Sequence, residues 1–229
     1  VASANIACGF HGGDPSVMRR VMLAAEEAGV SLGAHPGFND LWGFGRRRIQ
    51  MRSDELEYQV AYQIGAAMGM AAYTGQKITH VKAHGALNNM ACVDRAYADA
   101  IARAVKTVDP KLIHVVMPAT EMEAATRAVD LPIALEAFAD RTYEADGTLT
   151  PRSMPGSVLK DPAAVAERAL RMTLDQEIVA RTGERMALGF DTLCLHGDEP
   201  TAVAVATAVR RSFEEAGIEI VTLPELIPG

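Results

Sequence analysis

Cysteine is nearly absent from this chain. Its 229 residues include only Cys8, Cys92 and Cys194, an odd number, widely spaced and without a CxxC pattern. That argues against a disulfide framework and against a cysteine-built zinc site. Aromatic residues are also scarce, at 5%. The interior must therefore be filled by aliphatic side chains, a mix that suits helices packed on a sheet. Positive charge is in deficit: 22 Lys and Arg stand against 29 Asp and Glu, a net charge of −7. The one basic run, Arg46-Arg47-Arg48, is too short for a nucleic-acid footprint, so no nucleic-acid partner is expected. No apolar run reaches the ~20 residues of a membrane span. No membrane association is expected, and the expected location is cytoplasmic. The sequence also lacks GxxxxGK(S/T), GxSxG, HExxH and a GxGxxG after a strand. If a nucleotide is used, no standard motif announces it.

What is present is a repeated rhythm of short apolar run, polar cluster and helical stretch. The strands expected from it are Ala4–Phe10, Ser31–His35, His80–His84, Leu112–Met117, Pro132–Phe138, Thr192–His196 and Ile218–Leu223. Most are almost continuously apolar, as parallel strands covered on both faces are. Helix starts lie between them. Asp14-Pro15 and Asp161-Pro162 each read as an N-cap followed by proline at the first helical position. Ser53 opens a helix with Asp54 and Glu55 in its first turn. No linker or low-complexity segment interrupts 1–229, which reads as one domain. The order βαβαβ gives a parallel α/β sheet. His11, His35, His84, Glu136 and His196 all fall at or just beyond expected strand ends. Five such positions favour a (β/α) barrel, where strand ends converge on one rim, over an open sheet.

The polar clusters suggest chemistry. Ser3–Asp14 joins Asn5 and His11 to a Gly-Gly pair and a capping Asp14, a polar group beside an anion-ready helix start. His35 precedes Pro36-Gly37 in a rigid turn. Of Arg46, Arg47 and Arg48, one is expected to point inward, where it can clamp a carboxylate or phosphate, and two to lie at the surface. Period 2 places His80, Lys82 and His84 on one face of a strand. A lysine there needs polar company, and a Lys and a His two residues apart can share acid–base work. Glu136 ends a strand ahead of the long irregular segment Ala139–Ser157, which carries Asp140 and Arg141. Together they read as a general base and a substrate-holding lid. His196 and Asp198 at another strand end can form an oriented His–carboxylate pair. His196-Gly-Asp198-Glu-Pro200 echoes His11-Gly-Gly-Asp14-Pro15, as one capping device used twice.

Seven motifs in order carry a family resemblance: SANIACGFHGGD from Ser3, GAHPGFND from Gly33, GFGRRR from Gly43, YQIGA from Tyr62, HVKAHGALNN from His80, EAFADRTYEADGTLTPR from Glu136 and DTLCLHGD from Asp191. Together they resemble the LamB/YcsF family. The resemblance implies a distorted seven-stranded barrel of the glycoside hydrolase/deacetylase-like kind. It also implies the A subunit of an ATP-dependent 5-oxoprolinase that works with subunits B and C, opening 5-oxoproline to glutamate with ATP as co-substrate. The family pattern begins upstream with a strand reading DLNxDLGE, and this chain starts after it. Ala83 and Asn88 stand where the family usually has Pro and Tyr.

Opening an unstrained lactam needs a base for water, an acid for the departing nitrogen, cations for oxyanion charge and a partner for the substrate carboxylate. Matched to that chemistry, Lys82, His84, Glu136, His196 and Asp198 are the candidate catalytic residues. Asn5, His11, His35, Arg46 and Arg141 are the candidate substrate-binding residues. Two rival readings stay open. One is a metal-dependent deacetylase-like hydrolase, with His11 and His35 as candidate ligands of a divalent ion. The other is a binding protein whose chemistry lies in its partners.

Overall fold

The computed structural model describes residues 1–228. The chain divides into two compact units. The larger comprises 2–134 and the chain from Val221 onward; the smaller comprises Leu135–Ile220 with Val1.

The larger unit alternates strand and helix: β1 (Ser3–Ala7), α1 (Pro15–Glu27), β2 (Ser31–His35), α2 (Ser53–Tyr73), β3 (Ile78–Val81), α3 (Gly85–Ala91), α4 (Arg95–Val108), β4 (Ile113–Val116) and α5 (Glu121–Ala128). Neighbouring strands pair in parallel and in chain order. Helix starts follow local chemistry. Asp14 accepts from the N–H groups of Ser16 and Val17 at 2.8 and 3.0 Å, with Pro15 at the first helical position. Asp94 caps α4 in the same way through Ala96 and Tyr97. Such caps contribute about 1 kcal/mol each. α2 buries Leu56, Val60, Ile64, Ala67 and Ala71 along one face, and each fully buried Leu, Ile or Val is worth roughly 1.5–3 kcal/mol.

The smaller unit takes in most of β5 (Ile133–Phe138), then α6 (Pro162–Asp175), a two-stranded antiparallel ribbon of β6 (Ile178–Val179) and β7 (Arg185–Met186), β8 (Thr192–Cys194) and α7 (Ala202–Glu215). β5 and β8 pair in parallel, with Glu136 opposite Thr192 and Phe138 opposite Cys194. α6 and α7 bury Val165, Ala169, Val205, Val209 and Phe213 in one cluster. Asp161 caps α6 through Ala164 N–H at 2.7 Å.

The parallel strands number six among the described residues, not the seven that the resemblance implied. The expected seventh, Ile218–Leu223, is no strand. Ile218 and Ile220 pack into the α6–α7 cluster, and the chain then enters α8 (Leu223–Leu226) through a capping box of Thr222 and Glu225. Other strands end earlier than expected. β1 stops at Ala7 because Gly9 (φ 96°) turns the chain and its N–H bonds to Gly12 O. β3 stops at Val81, although Lys82 N–H still donates to Ala34 O and His84 N–H to Pro36 O. The period-2 direction thus persists past the strand end. The second capping device is not realised. α7 starts at Ala202 with Thr201 at its N-cap, and the intervening Glu199 pairs with Lys160 at 2.9 Å.

Gly33 lies opposite His80 in the parallel register, and a Cβ built on it would sit 2.2 Å from the imidazole. The buried ring therefore occupies the volume of a missing side chain. Gly33→Ala should lower unfolding stability by about 1–3 kcal/mol, as overpacking does. Urea titration of G33A, H80A and the double variant checks this. The alanine should cost less than half as much once His80 is gone, and equal costs would show that the ring is not the obstacle.

Candidate active site

The larger unit gathers three histidines from separate chain segments. His11 comes from the loop after β1, His35 ends β2, and His84 follows β3. The rings of His11 and His84 stack face to face, 3.8 Å apart and 2° from parallel. His35 stands edge-on to both, at 5.9 and 5.0 Å. Phe44 is edge-on to the same stack from another side, at 5.7 and 5.3 Å. The Arg46 guanidinium lies 5.1 Å from the Phe44 ring centre.

Glycines make the cluster possible. A Cβ at Gly37 would come 2.6 Å from His11 Nδ1, and one at Gly45 would come 2.8 Å from both His11 Cβ and His84 Nδ1. The segment carrying Phe44 and Gly45 is held by Asp40. This buried carboxylate accepts from Gly43 N–H at 3.0 Å and Arg47 Nε at 2.9 Å, and pairs with Arg47 Nη2. The Arg47 side chain and its backbone contacts pull the Asp40 carboxyl down to about 2. Phe44 adopts a left-handed backbone (φ 53°), a strain that clusters at functional sites. Among the three arginines, Arg46 is half-buried while Arg47 and Arg48 are exposed, as expected.

Burial pushes His11, His35 and His80 toward their uncharged forms. It is the main cause lowering His11 to about 4, with the nearby Arg46 charge adding to it. For His35 burial again comes first, followed by the charges of His84 and Lys82; its bond to the Lys82 carbonyl opposes them, and the group stays well below its ordinary value. His80 is lowered to about 3 by burial and by Lys82. Lys82 is itself buried. Asn5 is exposed in the middle of β1. Asn88 is buried, with its amide 3.8 Å from Met117 Sδ.

The smaller unit has its own polar set. Asp140 accepts from His196 N–H and from His196 Nδ1, both at 2.9 Å. The oriented pair is thus His196–Asp140, not His196–Asp198. β5 and β8 are parallel neighbours, so the chain leaves them side by side and brings residues 140 and 196 together. Asp198, two residues further on, is exposed. Burial pushes the Asp140 carboxyl up, but the hydrogen bonds and charge of His196 outweigh it and hold the group below its ordinary value. Phe138 stacks on His196 at 5.7 Å. Glu136 is buried in β5. Arg141, expected to hold substrate, gives Nε to Ser157 O at 3.0 Å and Nη2 to Thr150 O. Those bonds and the bridges Arg141–Val158 and Tyr143–Leu149 tie the long segment back on itself. The Tyr143 oxygen accepts from Phe138 N–H at 2.8 Å, and burial pushes its phenol up. Sequence reasoning misses the roles of Asp140 and Phe44. The only signals are an Asp just past a strand end and a Phe between two glycines.

The rival hydrolase reading implies a divalent metal. Among the described residues no group of three or more His, Cys, Asp or Glu side chains is placed to hold an ion. His11 and His84 present ring faces to each other rather than lone pairs to a shared point.

The sequence pattern of the LamB/YcsF family matches residues 1–227. The chain is 52% identical to the 5-oxoprolinase A subunit of Rhodopseudomonas palustris (strain ATCC BAA-98 / CGA009), over 95% of this chain and 86% of that one. It is 50% identical to the second 5-oxoprolinase A subunit of Bradyrhizobium diazoefficiens, over 96% and 86%. The crystal structure of a lactam utilization protein from Thermus thermophilus superposes with a TM-score of 0.91 at 48% identity, covering 97% of this chain and 89% of that one. Among the described residues no helix is long and apolar enough to cross a membrane.

Neutral buried histidines predict acid sensitivity. A histidine held near 4 in the folded state and near 6.5 when unfolded contributes stability that is complete above pH 6.5. That stability is lost as pH falls toward 4, by about 1.4 kcal/mol per pH unit for each such group. His11 and His114 are both lowered to about 4. Urea midpoints should therefore be level between pH 7 and 8 and fall steadily below 6.5. A level profile down to pH 4.5 would show that the rings are not neutral in the folded state.

Proposed function

The chain belongs to the LamB/YcsF family, and from that premise we propose that it is the A subunit of an ATP-dependent 5-oxoprolinase, opening 5-oxo-L-proline to L-glutamate together with subunits B and C. The observation that carries this reading is identity of about half to curated relatives of that name over nearly the whole chain. The barrel of the glycoside hydrolase/deacetylase-like kind is part of the same proposal. ATP serves as co-substrate: phosphorylation of the amide oxygen activates the carbonyl carbon, water adds there, the ring carbon–nitrogen bond breaks as nitrogen takes up a proton, and a second water releases phosphate from the acyl phosphate to leave glutamate.

The residues suit each demand of that chemistry. Arg46 is matched to the substrate carboxylate, for which a guanidinium is the natural bidentate partner. Lys82, buried beside neutral imidazoles, is a cation for charge growing on the carbonyl oxygen. His196, oriented by Asp140 within the smaller unit, forms a His–carboxylate pair of the type used in proton transfer. His84, Glu136 and Asp198 remain candidate catalytic groups, and Asn5 and His11 candidate substrate contacts. The contacts of Arg141 support a different role, bracing the 139–158 segment.

The test combines the full-length protein with subunits B and C, 5-oxoproline and ATP, and follows glutamate. Release is expected only when all three proteins and ATP are present. No release from three folded proteins overturns the reading. Within an active complex, Arg46→Met should raise KM for 5-oxoproline at least about tenfold, as loss of a charge-assisted pair does. Asp140→Asn should lower kcat by ~100-fold or more through loss of the oriented proton donor.

A further inference from the structure

The smaller unit holds a cavity of about 330 Å³, lined by α6 and the β6–β7 ribbon. That volume lies at the small end of the range for small-molecule sites. Helical spacing builds one wall: Arg168, Arg171 and Asp175 stand at i, i+3 and i+7 along α6, and all three line the cavity. Gln176 then takes a left-handed backbone (φ 53°), and its side-chain oxygen accepts from Phe190 N–H at 3.1 Å. The chain turns there from α6 into the ribbon, where Glu177 and Arg185 complete the charged lining. Arg185 gives Nη1 to Glu177 at 3.0 Å. Arg171 reaches Glu167 at 3.5 Å, with both side chains exposed. Arg168 differs from these. It is half-buried, its Nε is buried without a hydrogen-bond partner, and Nη2 has only the Arg141 carbonyl at 3.3 Å. Among the described residues no carboxylate pairs with it. Burial pulls the group below its ordinary value; Tyr143 opposes that pull and the Arg171 charge adds to it. A cation withdrawn from water is costly unless an anion meets it. The cavity is where such an anion can sit.

We propose that this cavity binds an α-amino dicarboxylate, with L-glutamate as the ligand. Its lining carries three guanidinium groups and two carboxylates. The ligand offers the complement, two carboxylates and one ammonium group. Arg168, Arg171 and Arg185 receive the carboxylates, for which guanidinium is the natural partner. Asp175 and Glu177 receive the ammonium group. The Arg171–Glu167 and Arg185–Glu177 pairs are exposed enough to open at little cost, whereas Arg168 has no such partner to give up. The choice of glutamate among such ligands rests on the lactam-opening reading, whose product it is; the site itself rests on the cavity. The bond from Arg168 to the Arg141 carbonyl ties the cavity wall to the segment that carries Asp140.

Calorimetric titration of the full-length protein with L-glutamate tests this. The titration uses an Arg46→Met background, which removes the carboxylate partner matched to the candidate active site. One binding site with a Kd of about 1 mM or tighter is expected. Adding Arg168→Gln should weaken binding at least about tenfold, as loss of a charge-assisted pair does. Arg168 also bonds to the Arg141 carbonyl, so a second variant guards against a loss of folding. Arg185→Gln, at an exposed position, should weaken glutamate at least about threefold without touching that bond. Glutarate keeps both carboxylates and lacks the ammonium group, and should bind at least about threefold less tightly than glutamate. Absence of saturable glutamate binding overturns the proposal, as does unchanged affinity in folded R168Q or in R185Q. Glutarate or inorganic phosphate binding as tightly as glutamate overturns the ligand class. A complete complex that makes no glutamate overturns the lactam reading, and the titration then decides the site by itself.

Discussion

Ring volume is the constraint on which the larger unit depends. Imidazoles from His11, His80 and His84 fill space that side chains at Gly33, Gly37 and Gly45 would otherwise claim. Interiors are packed too densely for both to fit. A strand can carry large polar rings inward only if its neighbour gives up a Cβ. The glycines are therefore spatial complements of the histidines as much as turn residues. The Asp40–Arg47 clasp belongs to the same arrangement, because it holds Phe44 and Gly45 against the stacked pair.

Packing decides charge as well. Removing His11 and His35 from water disfavours their cationic forms, and nearby Arg46 and Lys82 add to the effect. A face-to-face pair such as His11 and His84 could not hold two positive charges at 3.8 Å without heavy cost. The result is a pair of imidazoles biased toward the neutral form, beside cations able to hold negative charge.

The smaller unit reaches a similar end by another route. Parallel pairing of β5 with β8 brings Asp140 to His196 across 56 residues of sequence. Arg141, which follows in the chain, bonds to backbone groups of the same segment, and Tyr143 to the last residue of β5. The irregular stretch after β5 is thus ordered by buried hydrogen bonds, so Asp140 leaves the strand at a fixed angle.

Much of this was legible from residues alone. Alternating apolar runs and Asp-Pro caps gave parallel α/β organisation and the starts of α1 and α6, because caps and periodicity are local properties. The clusters around His11, His35, His84 and His196 stood out because polar residues at strand ends are costly without a purpose. Tertiary structure alone decided which carboxylate His196 meets, why Arg141 faces carbonyls, and that Ile218–Leu223 is not a strand. It also decided that Lys82 offers His35 a carbonyl and not only a charge. Each of these depends on the register between segments far apart in sequence, which local pattern does not encode.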